Sequence, residues 1–301
     1  MRAAMVGLGN IGGRMAVHLE STGADVVGFD VRGHRAAELG LIGAATLAEA
    51  CEADVILLSL PSDAAIDAVV LGPDGVREHA SRSAVVVDLS TASPSATRTR
   101  HAALSERGVE LLDAGVSGGP RGAEAGTLTL MVGGSEAALD HVRPVLLGIG
   151  QRIFHLGAPG TGHAAKAVNN YLNGINLAAA AEAMVVGVKA GLDPELLLEV
   201  INSSSGRNWA TENRFPSVLQ GDYMEGGLSN ALMAKDLDLY LALAAETSAP
   251  ALLGSACRTV FGMAVARGYD QRVSNTVVDA LGDLAGGVRV QPGAWPAESD
   301  E

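Results

Sequence analysis

The chain has 301 residues, nearly half of them apolar, enough for two domains of about 100 to 200 residues, each with a real core. Its formal charge of −13 comes from acids scattered along the chain, which opposes nonspecific binding to nucleic acid or an anionic membrane surface. Cys51 and Cys257 stand outside any CxxC or Cys/His cluster, so they read as small buried hydrophobes, and no metal site is expected.

The first predicted strand begins near Arg2, leaving no room ahead of it for a charged leader and an apolar h-region, so a cytoplasmic location is expected. "AAMVGLGNIGGRMAVHLESTG" reads as strand, turn and helix. Gly7, Gly9 and Gly12 have GxGxxG spacing, and Ile11, Met15, Val17 and Leu19 follow a rough helical period. In such a turn a side chain would block close approach of the backbone to a pyrophosphate, whose charge is met by the helix N-terminus. The candidate cofactor contacts are Gly7, Leu8, Gly9, Asn10, Ile11 and Gly12. "ADVVGFD" supplies a second strand ending in Asp30, 18 positions after Gly12; an acid that binds the ribose is expected after about 20. Asp30 favours NAD, since a carboxylate repels a 2′-phosphate, while Arg32 keeps NADP open as an alternative. A tight turn without a ligand is the plain alternative for the glycines, and the agreement of strand, helix and acid argues against it.

"ADVILLSLPSD" and "SAVVVDLSTASP" are β-branched apolar runs ending in small polar residues, as buried parallel strands with functional loops do. They place Leu60, Pro61 and Thr91 beside a bound dinucleotide. Ser90, Thr91 and Ser93 serve equally well as caps of the next helix. "GVELLDAGVSGG" gives a further strand and a glycine-rich loop, Ser117, Gly118 and Gly119, able to receive a carboxylate. "GTLTLMVGG" is one more strand.

After residue 162 strand signals become sparse. Helices are predicted over Gly162 to Ala190, Pro194 to Ile201, Leu228 to Thr247 and Leu252 to Arg267. The first, at about 28 residues or about 42 Å, is expected to join the domains. Its stretch "LAAAAEAMVVGV" is interrupted by Glu182, so no membrane helix is expected. Asp193 and Pro194 read as an N-cap and an N1 proline, and residues 291–301 as a loose tail. The predicted fold class is α/β: a Rossmann-type, doubly wound, mainly parallel sheet domain over residues 1–162, then an all-α domain over 163–290. In the long helix Lys166 and Asn170 stand at i, i+4 and share a face. Alone, Lys166 reads better as a snorkelling residue whose stem covers apolar surface. His163 lies in the helix's first turn, and no histidine is assigned a catalytic part.

In this order "GLGNIGGRMA", "DAGVSGG", "GTGHAAKAVNN" and "MAKDL" resemble the β-hydroxyacid dehydrogenases, above all those acting on 3-hydroxyisobutyrate, and the resemblance covers nearly the whole chain. It implies an NAD(P)-dependent oxidoreductase interconverting a short anionic 3-hydroxy acid and its semialdehyde. It also implies an active site in a cleft between the two domains and a homodimer or homotetramer packed through the helical ones. Lys166 matches the catalytic lysine and Asn170 its partner; Ser117, Gly118 and Gly119 match the substrate-carboxylate loop, Thr91 a cofactor contact, and Lys235 a second lysine at substrate and cofactor. On this reading Lys166 takes the hydroxyl proton as hydride leaves the carbinol carbon. A lysine of ordinary pKa, about 10.4, is mostly protonated at neutral pH, so desolvation or a neighbouring cation such as Lys235 must favour the neutral amine. Asn170 would hold the substrate oxygen. Lys235, beside Asp236 and Asp238, reads equally as a surface residue.

Two departures bear on substrate. Gly115 follows Ala114 where the family usually has proline, which is expected to give the strand end more conformational freedom. Arg121 follows the SGG loop where relatives carry small residues; it is a candidate for a second anionic group of a larger substrate, with a solvent-facing arginine as the plain alternative. Competing readings are a tartronate semialdehyde reductase or another semialdehyde reductase of the family. Decarboxylating 6-phosphogluconate-type enzymes need a larger helical half, and imine reductases generally lack the lysine. A catalytically idle dinucleotide sensor would keep Gly7, Gly9, Gly12 and Asp30 but has no use for Lys166, Asn170 and Ser117 together.

Overall fold

A computed structural model of the protein describes residues 1–223 and 227–291, so the expected tail lies outside the described residues except for Gln291. The chain divides into two compact units, Met1–Lys166 and Ala167–Glu301.

The first unit is built on eight strands: β1 (Arg2–Val6), β2 (Asp25–Phe29), β3 (Ile42–Gly43), β4 (Val55–Leu58), β5 (Val85–Asp88), β6 (Glu110–Ser117), β7 (Leu128–Gly133) and β8 (Gly150–His155). Their spatial order is β3-β2-β1-β4-β5-β6-β7-β8. The strands from β3 to β6 are parallel, β7 runs antiparallel to β6, and β8 is parallel to β7. The reversal at β7 has a simple cause, because the short connection from Ser117 to Leu128 cannot carry a full crossover. The middle strands are covered on both faces. Along β4, Val55 and Leu57 enter one apolar cluster while Ile56 and Leu58 enter another, so the run lacks polar alternation. This bears out the doubly wound, mainly parallel reading.

The second unit is helical. The long helix Thr161–Lys189 begins in the first unit and continues into the second. It is followed by helices Pro194–Asn202, Trp209–Asn213, Phe215–Gln220, Asn230–Glu246, Leu252–Ala264 and Val277–Leu284. Asp193 caps the first of these by accepting from the Leu196 N–H, with Pro194 at its first turn. The helix expected to reach Arg267 leaves α geometry after Ala264, in a wider turn broken at Gly268, whose φ is 84°. By length and hydropathy the long helix is able to cross a membrane, yet Leu177, Ala181, Met184 and Val185 pack with Phe215, Leu237 and Phe261 in the core of this unit. It is the core helix of a folded domain.

Candidate active site

Because β2, β1, β4, β5 and β6 are parallel, their carboxyl ends leave the sheet along one edge, where open α/β sheets bind ligands. The glycine turn follows β1, Asp30 follows β2, Leu60 and Pro61 follow β4, Ser90 and Thr91 follow β5, and Ser117 ends β6. These sequence-predicted site residues thus share one edge.

The three glycines do different work. Gly7 has φ 94°, and a Cβ there would collide with the carbonyl oxygen of Ser59; at Gly12 it would collide with the carbonyl oxygen of Gly7. Around Gly9 nothing lies within 4 Å of such an atom. The outer two glycines close the turn and pack the helix, and the middle one leaves open backbone. Asn10 is exposed, with its Oδ1 accepting from Arg14 Nε at 3.3 Å, and half-buried Ile11 precedes the helix Gly12–Ser21. The Leu8 side chain is fully buried, and its N–H donates to Asp30 Oδ2 at 2.8 Å.

Asp30 is also engaged by Arg32. Its Oδ1 accepts from Arg32 N at 3.0 Å and Nε at 2.9 Å, and its Oδ2 from Nη2 at 3.2 Å. The Arg32 side chain holds this carboxyl down to about 2, against the opposing effect of burial. Farther along the edge, Ser90 Oγ accepts from the Leu60 N–H at 2.9 Å and ties the loops after β4 and β5 together. The cap of the helix Pro94–Ser105 is Ser93; Thr91 precedes it, half-buried.

The expected glycine-rich loop is shorter than the sequence reading has it. Ser117 is still in β6, and Gly118 (φ 136°) and Gly119 (φ 62°) turn directly into a short helix, Gly119–Glu124. Arg121 sits in that helix and is exposed. Gly115 is not the loosening point expected of it, for it lies inside β6 with no positive φ. A Cβ at Gly115 would stand 2.5 Å from Lys166 Cβ and 3.0 Å from its Cγ, so the room is taken by the stem of Lys166.

Asn170, one turn beyond Lys166, is 4% exposed and donates from Nδ2 to Asp236 Oδ2 at 2.6 Å. Lys235 is one-third exposed, with its Nζ 3.3 Å from Asp236 Oδ1. Sequence reasoning treated Asp236 only as an acidic neighbour of Lys235, although it directly follows that lysine in "MAKDL". It also passed over Asp113, the first residue of "DAGVSGG", which is completely buried. Its Oδ1 accepts from the Gly160 N–H at 2.7 Å and its Oδ2 from the His163 N–H at 2.8 Å.

Residues 2–157 match the family described as the NAD binding domain of 6-phosphogluconate dehydrogenase, and residues 160–281 the family described as NAD-binding of NADP-dependent 3-hydroxyisobutyrate dehydrogenase. A 2-(hydroxymethyl)glutarate dehydrogenase of Eubacterium barkeri is 37% identical over 95% of this chain and 96% of its own. A 3-hydroxyisobutyrate dehydrogenase of Pseudomonas aeruginosa is 41% identical over 86% of this chain and 91% of its own. Among solved structures, Mycobacterium tuberculosis 3-hydroxyisobutyrate dehydrogenase with L-serine has a TM-score of 0.85 at 36% identity, covering 93% of this chain and 99% of that one.

The chain belongs to the β-hydroxyacid dehydrogenase family. It is an NAD(P)-dependent oxidoreductase of hydroxy acids. Three features of the dehydrogenase fit a dinucleotide: the open backbone at Gly9, the helix N-terminus behind it, and an ionised Asp30 at the end of β2. Bound NAD supplies the hydride acceptor. The protein's own part is to orient the acid and to move one proton.

Proposed function

We propose that this dehydrogenase oxidises acids of the form HO–CH2–CH(R)–COO⁻ to their semialdehydes, and reduces those semialdehydes, with Lys166 as general base and acid. The molecules named with its relatives share that skeleton: R is methyl in 3-hydroxyisobutyrate, ammonium in L-serine and a carboxyethyl group in 2-(hydroxymethyl)glutarate. Tartronate semialdehyde corresponds to R as hydroxyl. The common core asks for a carboxylate site and a proton acceptor a short distance apart.

The observation that carries the reading is the seat of Lys166 on Gly115, two residues before Ser117 on the same strand. The Ser117 hydroxyl and the amides of Gly118 and Gly119 receive the carboxylate. The Lys166 amine takes the hydroxyl proton while hydride passes from the carbinol carbon to the nicotinamide, and returns it in reduction. Asn170 holds the reacting oxygen, Lys235 adds positive charge, and Thr91 gives a hydrogen bond to the cofactor. Asp30 makes NAD the favoured acceptor. Arg121 meets R where R is anionic. The reading needs neither nucleic acid nor membrane, and it takes the enzyme as a cytoplasmic homodimer or homotetramer.

The test is a panel of the three acids and of tartronate semialdehyde with NAD(H) and NADP(H), followed by nicotinamide absorbance. At least one acid turns over, and Lys166→Ala lowers kcat by about 10²- to 10⁴-fold, the usual worth of a general acid or base, with NADH binding retained. Arg121→Ala raises KM for 2-(hydroxymethyl)glutarate alone. Wild-type turnover by Lys166→Ala would take the lysine out of the proton transfer, and a failure of every member of the panel to turn over would overturn the substrate class.

A further inference from the structure

Residues two apart on a strand point to the same side, so Asp113, Gly115 and Ser117 line one face of β6 in that order. The first two act on the long helix. The opening N–H groups of a helix lack partners within it and present positive charge. Gly160, immediately before this helix, has no side chain with which to cap it. The cap comes instead from Asp113, far back in the sequence, through its bonds to the N–H groups of Gly160 and His163. The helix phase is thereby tied to the register of the sheet as well as to the local turn in which Thr161 Oγ1 donates to the Ala158 carbonyl oxygen at 2.8 Å.

The seat is tight on every side. A Cβ at Gly162 would stand 2.5 Å from the carbonyl oxygen of Asp113 and would collide with that of Met131, and at Gly133 it would be 2.6 Å from Asp113 Oδ1. His163 is 1% exposed, with its Nδ1 2.7 Å from Thr97 Oγ1 and its Nε2 3.2 Å from the Asp88 carbonyl oxygen. Lys166 follows three residues later, its Cβ so close to β6 that a side chain added at position 115 of this chain forces the lysine stem or the strand to shift.

We propose that Asp113 and Gly115 are positioning residues that aim the Lys166 amine: the carboxylate sets the axial position and rotation of the helix's first turn, and the missing side chain sets the depth of the lysine stem. The inference rests on the acid/base reading of Lys166. A displacement of about 1 Å at a reacting group costs about 10²-fold in rate, so an added methyl at position 115 reads out directly.

The experiment compares wild type, Gly115→Ala, Asp113→Asn, Lys166→Ala and Gly115→Ala/Lys166→Ala by single-turnover hydride transfer, NADH fluorescence titration and thermal melting. Gly115→Ala lowers the transfer rate about 10- to 100-fold with unchanged NADH affinity, and Asp113→Asn does likewise. In the Lys166→Ala background the Gly115 substitution changes the residual rate by less than about twofold, because there is no amine left to misplace. A merely structural role would lower both backgrounds alike, and that result overturns the proposal. So does a Gly115→Ala enzyme as fast as wild type while Lys166→Ala is slow. If Lys166→Ala itself is as fast as wild type, the acid/base reading fails instead, and the positioning role with it. Should Asp113→Asn not fold, the Gly115 arm decides alone.

Discussion

Asn170 gives a side-chain N–H to Asp236, and both side chains are buried. An ionised carboxylate only accepts, so this bond turns the amide nitrogen toward Asp236 and leaves Oδ1 facing the other way. Its other neighbour is weak, Asn169 Nδ2 at 3.4 Å. Asp236→Ala leaves a buried donor unmet, at a cost of about 1–3 kcal/mol, and frees the amide to flip. The expected result is a melting temperature lower by several degrees together with a reduced kcat, with Asp236→Asn intermediate in both because it keeps an acceptor oxygen. Thermal melting and steady-state kinetics check this; an Asp236→Ala enzyme unchanged in both measurements counts against it.

The glycine turn separates folding from binding. Gly9→Ala places its methyl in open space and melts with the wild type, whereas Gly12→Ala drives a methyl into the Gly7 carbonyl and melts lower. Cofactor affinity behaves differently. Gly9→Ala puts the methyl where the pyrophosphate must approach, so NADH binding weakens by about tenfold or more, a loss of about 1.4 kcal/mol per factor of ten. NADH fluorescence titration beside melting curves decides the point. Tight binding by Gly9→Ala would mean that the phosphates sit elsewhere.

Much of this was legible in the residues. Two-sided burial made β1, β4 and β5 continuous apolar runs, and glycine spacing with Asp30 marked the binding edge. The strands that escaped notice are edge strands: β3 is two exposed residues, and β8 reads "GQRIFH", mostly exposed, with Gln151 and Arg152 hiding its pattern. Asp113 and Asp236 were invisible as supports because their partners, Gly160, His163 and Asn170, lie 47 to 66 positions away. A long-range hydrogen bond leaves no periodicity to read. Gly115 was noticed as a departure, but its reason, the Lys166 stem, is again a tertiary contact.

On the proposed reading Asp30 and Arg32 together set the choice of cofactor. The arginine occupies carboxylate oxygens that ribose hydroxyls would take up on that reading, so binding would exchange one set of donors for another. Asp30→Ala weakens NADH binding by about 10- to 100-fold, from about 1.5–3 kcal/mol for hydrogen bonds to a charged group. NADPH loses less, since the repulsion of its 2′-phosphate also disappears. Because the carboxyl is held down to about 2, its folded-state contribution is complete above the ordinary carboxylate range and is lost only as pH falls toward 2. NADH affinity should therefore show no Asp30 titration between pH 5 and 8. Equal losses for both cofactors in Asp30→Ala would show that the acid does not discriminate.

Asp279 supplies a pH dependence of opposite sign. It is 2% exposed and accepts from Tyr223 Oη at 2.8 Å; burial raises its pKa, while Tyr223 and Arg289 pull the other way. Just above the ordinary carboxylate range the unfolded chain has released this proton and the folded chain still holds it. Stability from this group therefore falls as pH rises from about 4 through the raised value, and is highest below that window. Asp279→Asn keeps an acceptor for Tyr223 without a charge to desolvate, so its stability should depend less steeply on pH than the wild type's. Urea unfolding of both proteins at several pH values from 4 to 7.5 measures the difference in slope, which is this group's share. Parallel stability curves would show that Asp279 titrates alike in the folded and unfolded chains, and that its neighbours fully offset its burial.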